Sequence, residues 1–202
     1  MIYFISDLHF GHKNIINFSG ESFSSIEERD ETIIKNWNET VTNKDTVYVL
    51  GDISWRSQEE TEAIFERLKG TIYIIQGNHD SPKMLSELKD KKLIKDFMSY
   101  YEINEDKKKY VLFHYPIEEW NKIFNNSALI HGHIHSKNFR SPVPATRVSN
   151  LRNVDGTPRK LLIRNHNKFD VGVEAVGYKP VSFDKIKESI LDLEKMELKD
   201  YE

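Results

Sequence analysis

The stretch that most limits what this chain can become is residues 72–80, IYIIQGNHD, where an apolar run stops at a glycine and then offers an amide, an imidazole and a carboxylate in succession. β-Branched and aromatic residues broken by glycine predict a buried strand that delivers polar groups at its end. Residues 2–9 (IYFISDLH) repeat the design with Asp7 and His9, and residues 46–52 (TVYVLGD) repeat it with Asp52. Because α/β proteins keep their sites at the carboxyl ends of parallel strands, three strands are expected to aim ligands at one edge.

Helical patterns alternate with these strands. Residues 14–25 read as a loop, and Ser25-Ile-Glu-Glu28 is a capping-box sequence before a helix with Ile26, Ile33, Ile34, Trp37 and Val41 at helical spacing. Ser57-Gln-Glu-Glu60 caps a second helix, with Ala63, Ile64, Phe65 and Leu68 facing inward and Gly70 beyond its end. Ser81 followed by Pro82 predicts the N-terminus of a third, carrying Met84, Leu85 and Leu88. The order β-α-β-α-β-α favours parallel strands with right-handed crossovers.

The second half changes character. Residues 97–103 and 110–114 flank a charged turn at 104–109 and predict an antiparallel hairpin. Residues 127–131 form another short strand, 161–164 and 169–173 are expected to pair around 165–168, and Ser182 caps a helix with Ile186, Ile190 and Leu193 on one face. The expected class is α/β: a mixed two-sheet β-sandwich, mostly parallel in its first half and mostly antiparallel in its second, flanked by helices and forming a single domain over residues 1–202.

Composition narrows the chemistry. With 202 residues and 38% hydrophobic content the chain can bury one substantial core. A net charge of −3 gives no global argument for a nucleic-acid or membrane surface. There are no cysteines, which removes disulfides, thiolate nucleophiles and Cys-based zinc sites together. Any metal must be held by His, Asp, Glu or Asn. No basic and apolar leader precedes Ile2 and no run reaches the length of a membrane span, so a cytoplasmic protein is expected.

The second half adds His114 at the end of YVLFH and the cluster His131-Gly-His-Ile-His135. Two histidines at i and i+2 in an extended segment share a face, so His133 and His135 can point at one site. Gly51, Gly77 and Gly132 let the backbone come close beside each ligand. Carboxylates and imidazoles without thiols suit Mn²⁺, Fe²⁺, Zn²⁺ or Ni²⁺ better than a structural zinc site. There are more candidate ligands than one ion can use.

Asp7-Leu-His9, Gly51-Asp52, Gly77-Asn-His-Asp80, His114 and Gly132-His-Ile-His135, in this order, resemble the motifs of the calcineurin-like metallophosphoesterases. Each motif alone is weak; together they are specific. The resemblance implies a two-sheet sandwich wrapped by helices and two divalent ions, with Mn²⁺ the ion expected to serve in vitro. It implies that Asp7, His9, Asp52 and His135 hold the first metal, and that Asn78, His114 and His133 hold the second, with Asp52 bridging. His12, Asn78 and His79 are expected to meet the substrate. His79 is expected not to ligate but to stabilise developing charge or protonate the leaving oxygen, oriented by Asp80. The implied reaction is hydrolysis of phosphate mono- or diesters by a metal-activated hydroxide, on a small phosphorylated substrate, nucleotides included.

Plainer readings stand beside these. Asp7, Asp52 or His114 singly is read first as a strand-end cap or a satisfied, partly buried polar group, and five motifs in register are what reverse that. His12 either reaches a substrate phosphate or is an exposed loop histidine, and His131 faces away from His133 or donates to a ligand. Arg140, Arg147, Arg152, Arg159, Lys160 and Arg164 form a basic stretch opposed only by Asp155, read first as a solvated loop and second as a surface for an anionic substrate. Trp55, Trp120 and Tyr115 lie near motif ends, either as core or as surfaces for a base. Two alternative functions remain: a metal-dependent nuclease on DNA or RNA, and a non-catalytic binding protein retaining the fold. Ile-Ser-Trp after Gly51-Asp52 lacks the arginine-bearing extension of the protein Ser/Thr phosphatases of this superfamily, which argues against protein dephosphorylation.

Overall fold

The computed structural model describes residues 1–20, 22–141, 147–152, 154–191 and 194–197. In chain order its elements are β1 (Ile2–Ile5), α1 (Ile15–Ser19), α2 (Ile26–Thr40), β2 (Thr46–Val49), α3 (Gln58–Phe65), β3 (Thr71–Ile75), α4 (Pro82–Asp90), β4 (Asp96–Met98), β5 (Tyr100–Glu105) and β6 (Lys108–Phe113). They continue with β7 (Ala128–His131), β8 (Arg147–Arg152), β9 (Pro158–Arg164), β10 (Lys168–Asp170), α5 (Val173–Val176), β11 (Val181–Ser182), α6 (Phe183–Glu188) and β12 (Glu194–Glu197).

The strands of the first half are buried on both faces, which is why they read as continuous apolar runs. Tyr3, Ile5, Val47, Val49, Ile72 and Ile74 turn one way, into a core shared with α2, α3 and α4 through Trp37, Ile64 and Leu88. Phe4, Tyr48, Leu50 and Ile75 turn the other way and meet Tyr110, Leu112, Ile130 and Phe169 of a second sheet. That second core makes the molecule a sandwich. The first sheet has the order β11-β1-β2-β3-β4 and the second β10-β7-β6-β5, while β12-β9-β8 form a separate three-stranded sheet.

The α/β two-sheet architecture agrees with expectation, and strand direction in the second sheet does not. β6, β7 and β10 are mutually parallel, and only the β5–β6 pair is antiparallel. That hairpin closes at Asp106 and Lys107, both in the left-handed region, the turn whose twist matches paired strands. Phe97, expected in the hairpin, lies in β4 and pairs with Ile74 in the first sheet.

The expected pairing of 161–164 with 169–173 is also corrected. β9 pairs with β8 and β12, and β10 pairs with β7. The polar segment between them is an anchor, not a turn: Asn165 Nδ2 donates to the carbonyls of Ile123 and Ser127, at 2.8 Å each. The loop expected over 14–25 contains α1, ended by Gly20 at φ 60°; five residues are too short for a periodic signal. Ser25, Ser57 and Ser182 cap their helices with hydrogen bonds, whereas Ser81 makes none. α6 ends at Glu188, and Leu193 of its expected apolar face lies outside the described residues. Among the described residues, no helix is long and apolar enough to cross a membrane.

Candidate metal centre

Parallel strands in both sheets end at one place. Asp7 and His9 follow β1, Asp52 follows β2, Asn78 follows β3, His114 follows β6, and His133 and His135 follow β7. Their ligand atoms fall into two groups, Asp7–His9–His135 and Asp52–His114–His133, and within each group all lie within 4.8 Å of one another. Asp52 Oδ2 joins the groups, 3.6 Å from His9 Nε2 and 3.5 Å from His114 Nε2. Asn78 Oδ1 is 2.9 Å from the same His114 nitrogen.

The local backbone is strained to achieve this. Asp7, His9, Asp52, His133 and His135 all have positive φ, between 46° and 76°, a region non-glycine residues seldom enter and one that collects at functional sites. Each turn is held by a neighbouring one. The Asp7 N–H donates to the Gly51 carbonyl at 3.1 Å and the His9 N–H to the Asp52 carbonyl at 2.9 Å. The His133 N–H reaches the Asp7 carboxylate at 3.0–3.1 Å, and the His79 N–H reaches Asp52 Oδ1 at 2.9 Å. His133 and His135 therefore serve different groups from a turn beyond β7, which corrects the expectation of an extended segment with one shared face. Close approach also explains two glycines: a Cβ on Gly132 would overlap Ser6 and Asp7, and one on Gly77 would overlap Asp52.

Hydrogen bonds fix which ring nitrogen faces the site. His114 Nδ1 donates to the Leu50 carbonyl at 2.6 Å, so its lone pair is on Nε2, facing Asp52 and Asn78. His114 Nε2 and Asn78 Oδ1 are both lone-pair bearers, and about 3 Å is the spacing of adjacent ligands sharing one cation at bonds of about 2.1 Å. His135 repeats the pattern, with Nδ1 donating to Glu174 Oε1 at 2.9 Å. His9 Nε2 is buried without a hydrogen-bond partner, as a nitrogen reserved for a ligand would be. His9 Nδ1 accepts from the Trp55 indole at 3.1 Å, which places the proton of the neutral ring on Nε2. Ligation through Nε2 needs the other tautomer, and with it a shift of the indole.

The electrostatics suit a cation. Burial, opposed by His135, holds the Asp7 carboxyl well above the usual carboxylate range. Burial and then the neighbouring His135 push His9 down to about 2, and burial lowers His133. For His135, burial is outweighed by Glu174 and Asp7, and its affinity for a proton rises. The Asp7 carboxyl, too desolvated to hold charge alone, and the His9 and His133 imidazoles, kept neutral by burial, become good donors when a divalent ion supplies the charge.

Two residues, Asp80 and Glu174, depart from sequence expectation or escaped it, and His131 faces away from the donors as one of its two readings had it. Asp80 makes no hydrogen bond to the His79 ring. Its carboxylate accepts instead from the backbone N–H groups of Asp52, Ile53 and Gly77 at 2.8–2.9 Å, so it builds the Asp52 turn and does not orient His79. Glu174, three residues past Val171, was missed; the signal was one more apolar run flanked by polar residues, KFDVGVE. His131 is fully buried and pushed by burial to about 4, its Nδ1 donating to the Gly132 carbonyl at 2.8 Å and its Nε2 2.6 Å from Ser141 Oγ. It braces the ligand loop from behind. His12 lies 5.6 Å ring to ring from His9, and the exposed His79 lies 5.7 Å from it.

Within the basic stretch, Arg140 stacks on Phe169 at 5.1 Å and donates to the His166 carbonyl at 2.8 Å, which gives it a structural place. Arg152 donates to the Gly156 carbonyl at 2.9 Å. The surface expected from Arg147, Arg159, Lys160 and Arg164 lies outside the described side chains.

Replacing Glu174 with alanine frees the His135 ring without touching the other donors. Carboxylates that orient ligating histidines are worth about 10- to 100-fold in metal affinity. We expect a loss in that range for E174A in a chelator-competition titration, and an affinity equal to wild type would show that Glu174 plays no such part.

Fold and site together define a class, α/β sandwiches that present two adjacent donor sets fit for divalent ions at the ends of their strands. The chain belongs to the calcineurin-like phosphoesterase family, whose pattern it matches over residues 1–137. The uncharacterized protein MJ1445 of Methanocaldococcus jannaschii is 34% identical over 187 residues, 92% of this chain and 88% of its own length. Gene 66 protein of Mycobacterium phage L5 is 28% identical over 160 residues, 66% of this chain and 77% of its own. The crystal structure of AQ665 from Aquifex aeolicus, described as a protein of unknown function, superposes with a TM-score of 0.64 at 28% identity, covering 93% of this chain and 98% of that one.

Proposed function

We propose that the protein is a phosphoesterase that works with two divalent ions, one held by Asp7, His9, Asp52 and His135 and the other by Asn78, His114, His133 and the shared Asp52. The observation that carries this reading is Asp52 Oδ2, standing 3.6 and 3.5 Å from the Nε2 atoms of His9 and His114, where one carboxylate serves both donor sets. When bound, the ion pair supplies an activated water and compensates charge on the phosphoryl oxygens. The protein's own groups do the rest. Asp52 offsets repulsion between the cations. Asn78 contributes a neutral amide oxygen, which leaves more of their charge for the substrate. His79, exposed beside the donors with its N–H fixed on Asp52, gives a proton to the leaving oxygen.

A mono-aryl and a bis-aryl phosphate assayed side by side with Mn²⁺ test the reading and separate monoesterase from diesterase. Inertness toward both, with every divalent ion offered, would remove it. Replacing His79 with alanine should lower kcat by about 10²- to 10⁴-fold, the range for general acid–base groups, while leaving metal content at the wild-type level. Loss of metal with unchanged turnover per loaded enzyme would assign His79 to ligation instead.

Proton competition sets the pH dependence. Asp7 and His135 both hold protons at higher pH than their free counterparts, and a proton on either displaces the cation. Affinity is therefore complete on the alkaline side and falls as pH drops through and below neutrality, by roughly tenfold per unit for each proton displaced. Metal titrations at successive pH values measure the slope. A flat profile through that range would contradict the assignment of these two donors.

A further inference from the structure

We infer that the cavity between the end of α2, α5 and β11 binds a small anionic amphiphile, an apolar body carrying one anionic head, at a place separate from the metal centre. None of the residues that line it is a candidate ligand, so the inference stands apart from the phosphoesterase reading.

The cavity has a volume of about 640 Å³, inside the range of roughly 300–1,000 Å³ that small-molecule sites occupy. Close-packed interiors leave few voids larger than a water molecule, so an opening of this size is more than a packing gap. Its walls are apolar. Phe139, Val176 and Val181 rest on the core between the two sheets, and Ala175 of α5 continues the surface. Apolar walls facing water are a standing cost that an apolar body removes.

Charge decides which apolar body fits. Tyr3, on the same wall, is 8% exposed, and among the described residues its hydroxyl donates only to Met1 Sδ, at 3.6 Å. A thioether is a weak acceptor, so a buried donor is left nearly unspent. Burial, with Asp45 and Asp184 adding to it, raises the phenol's hold on its proton, which keeps it a donor. Those two carboxylates are themselves paired, Asp45 with the amino group of Met1 at 2.5 Å and Asp184 with Lys187 at 2.9 Å. Lys179 and Lys185, both exposed where they line the cavity, make no ion pair among the described residues. Two uncompensated ammonium groups and one hydroxyl therefore stand over apolar walls. Lysines keep their heads in water while their stems cover apolar surface, and an anionic head meets them there while its body lies below. A cation is repelled, and a neutral chain gains nothing from either lysine.

Calorimetric titration of octanoate and of octanol, the same chain without the charge, into the purified full-length protein tests this. Octanoate is expected to bind once per chain, about tenfold more tightly than octanol. In K179Q/K185Q, where both changes lie at exposed positions, octanoate should bind about tenfold more weakly, the worth of two ion pairs toward the upper end of the range for exposed pairs. Octanol should be unmoved. Y3F, which keeps the ring, should weaken octanoate by roughly threefold or more, and A175F, which fills the cavity from α5, should abolish both. No binding of octanoate overturns the proposal, and so does an equal affinity for octanol. An octanoate affinity unchanged in K179Q/K185Q also overturns it, since the carboxylate would then sit elsewhere, the metal centre included. Retention of the protein on phosphatidylglycerol vesicles without binding of free octanoate would mean a membrane surface in place of a single molecule, and overturns it as well.

Discussion

Asn in place of Asp52 should empty the centre of at least one ion and lower kcat/KM by about a thousandfold. The substitution keeps shape and an oxygen able to accept the His79 N–H, so the turn survives. What it removes is the negative charge between the two donor sets, at 3.6 Å from His9 Nε2 and 3.5 Å from His114 Nε2. Two cations drawn together without that charge repel each other in a buried site where little water screens them. Metal-assisted charge stabilisation is worth several kcal/mol, and roughly 1.4 kcal/mol is a factor of ten in rate. Elemental analysis of metal per chain together with steady-state kinetics gives the answer. Two ions per chain and wild-type turnover in D52N would mean that Asp52 is not shared.

Removal of the Asp80 carboxylate should act on stability first and chemistry second. In D80A, three buried N–H groups, those of Asp52, Ile53 and Gly77, lose their acceptor together. At about 1–3 kcal/mol for each donor left unsatisfied, the loss is at least about 3 kcal/mol. For a chain of this size that is a fall in Tm of about 6–12 °C. The Asp52 turn, at φ 56°, would relax toward ordinary backbone and carry the bridging carboxylate with it. Thermal unfolding in excess chelator separates this from any effect of metal. An unchanged Tm with a specific loss of kcat would instead restore the role expected from sequence, in which Asp80 orients the His79 ring.

These two neighbours in space show where local pattern is informative and where it is not. Asp52 was legible because it ends an apolar run beside a glycine, and strands buried on both faces advertise themselves as such runs. Asp80 was legible as a site residue for the same reason, yet its partners were not, since they lie 27 and 28 positions away in the chain as well as next door. Glu174 went unseen because its contact with the site is to a ring 39 residues earlier in the chain. The second sheet was misread in direction because a short strand carries no mark of whether its neighbour runs with it or against it, and Asn165 looks like a turn residue until its carbonyl partners, Ile123 and Ser127 before β7, are known.

What the order of residues determined unaided was the inventory: an α/β chain whose apolar runs end in Asp7, His9, Asp52, Asn78, His114, His133 and His135, with no thiol to compete for a cation. Periodicity and strand-end chemistry are local properties, written within a few residues. What only the tertiary structure decided was which candidate ligand atoms stand within 4.8 Å of one another, the left-handed backbone at five of those residues, and that the carboxylates of Asp80 and Glu174 meet the Asp52 turn and the His135 ring. Each of these depends on hydrogen bonds between segments as far apart as Asp7 and His133. Such bonds can form only once both sheets have packed and the strained turns are braced against one another.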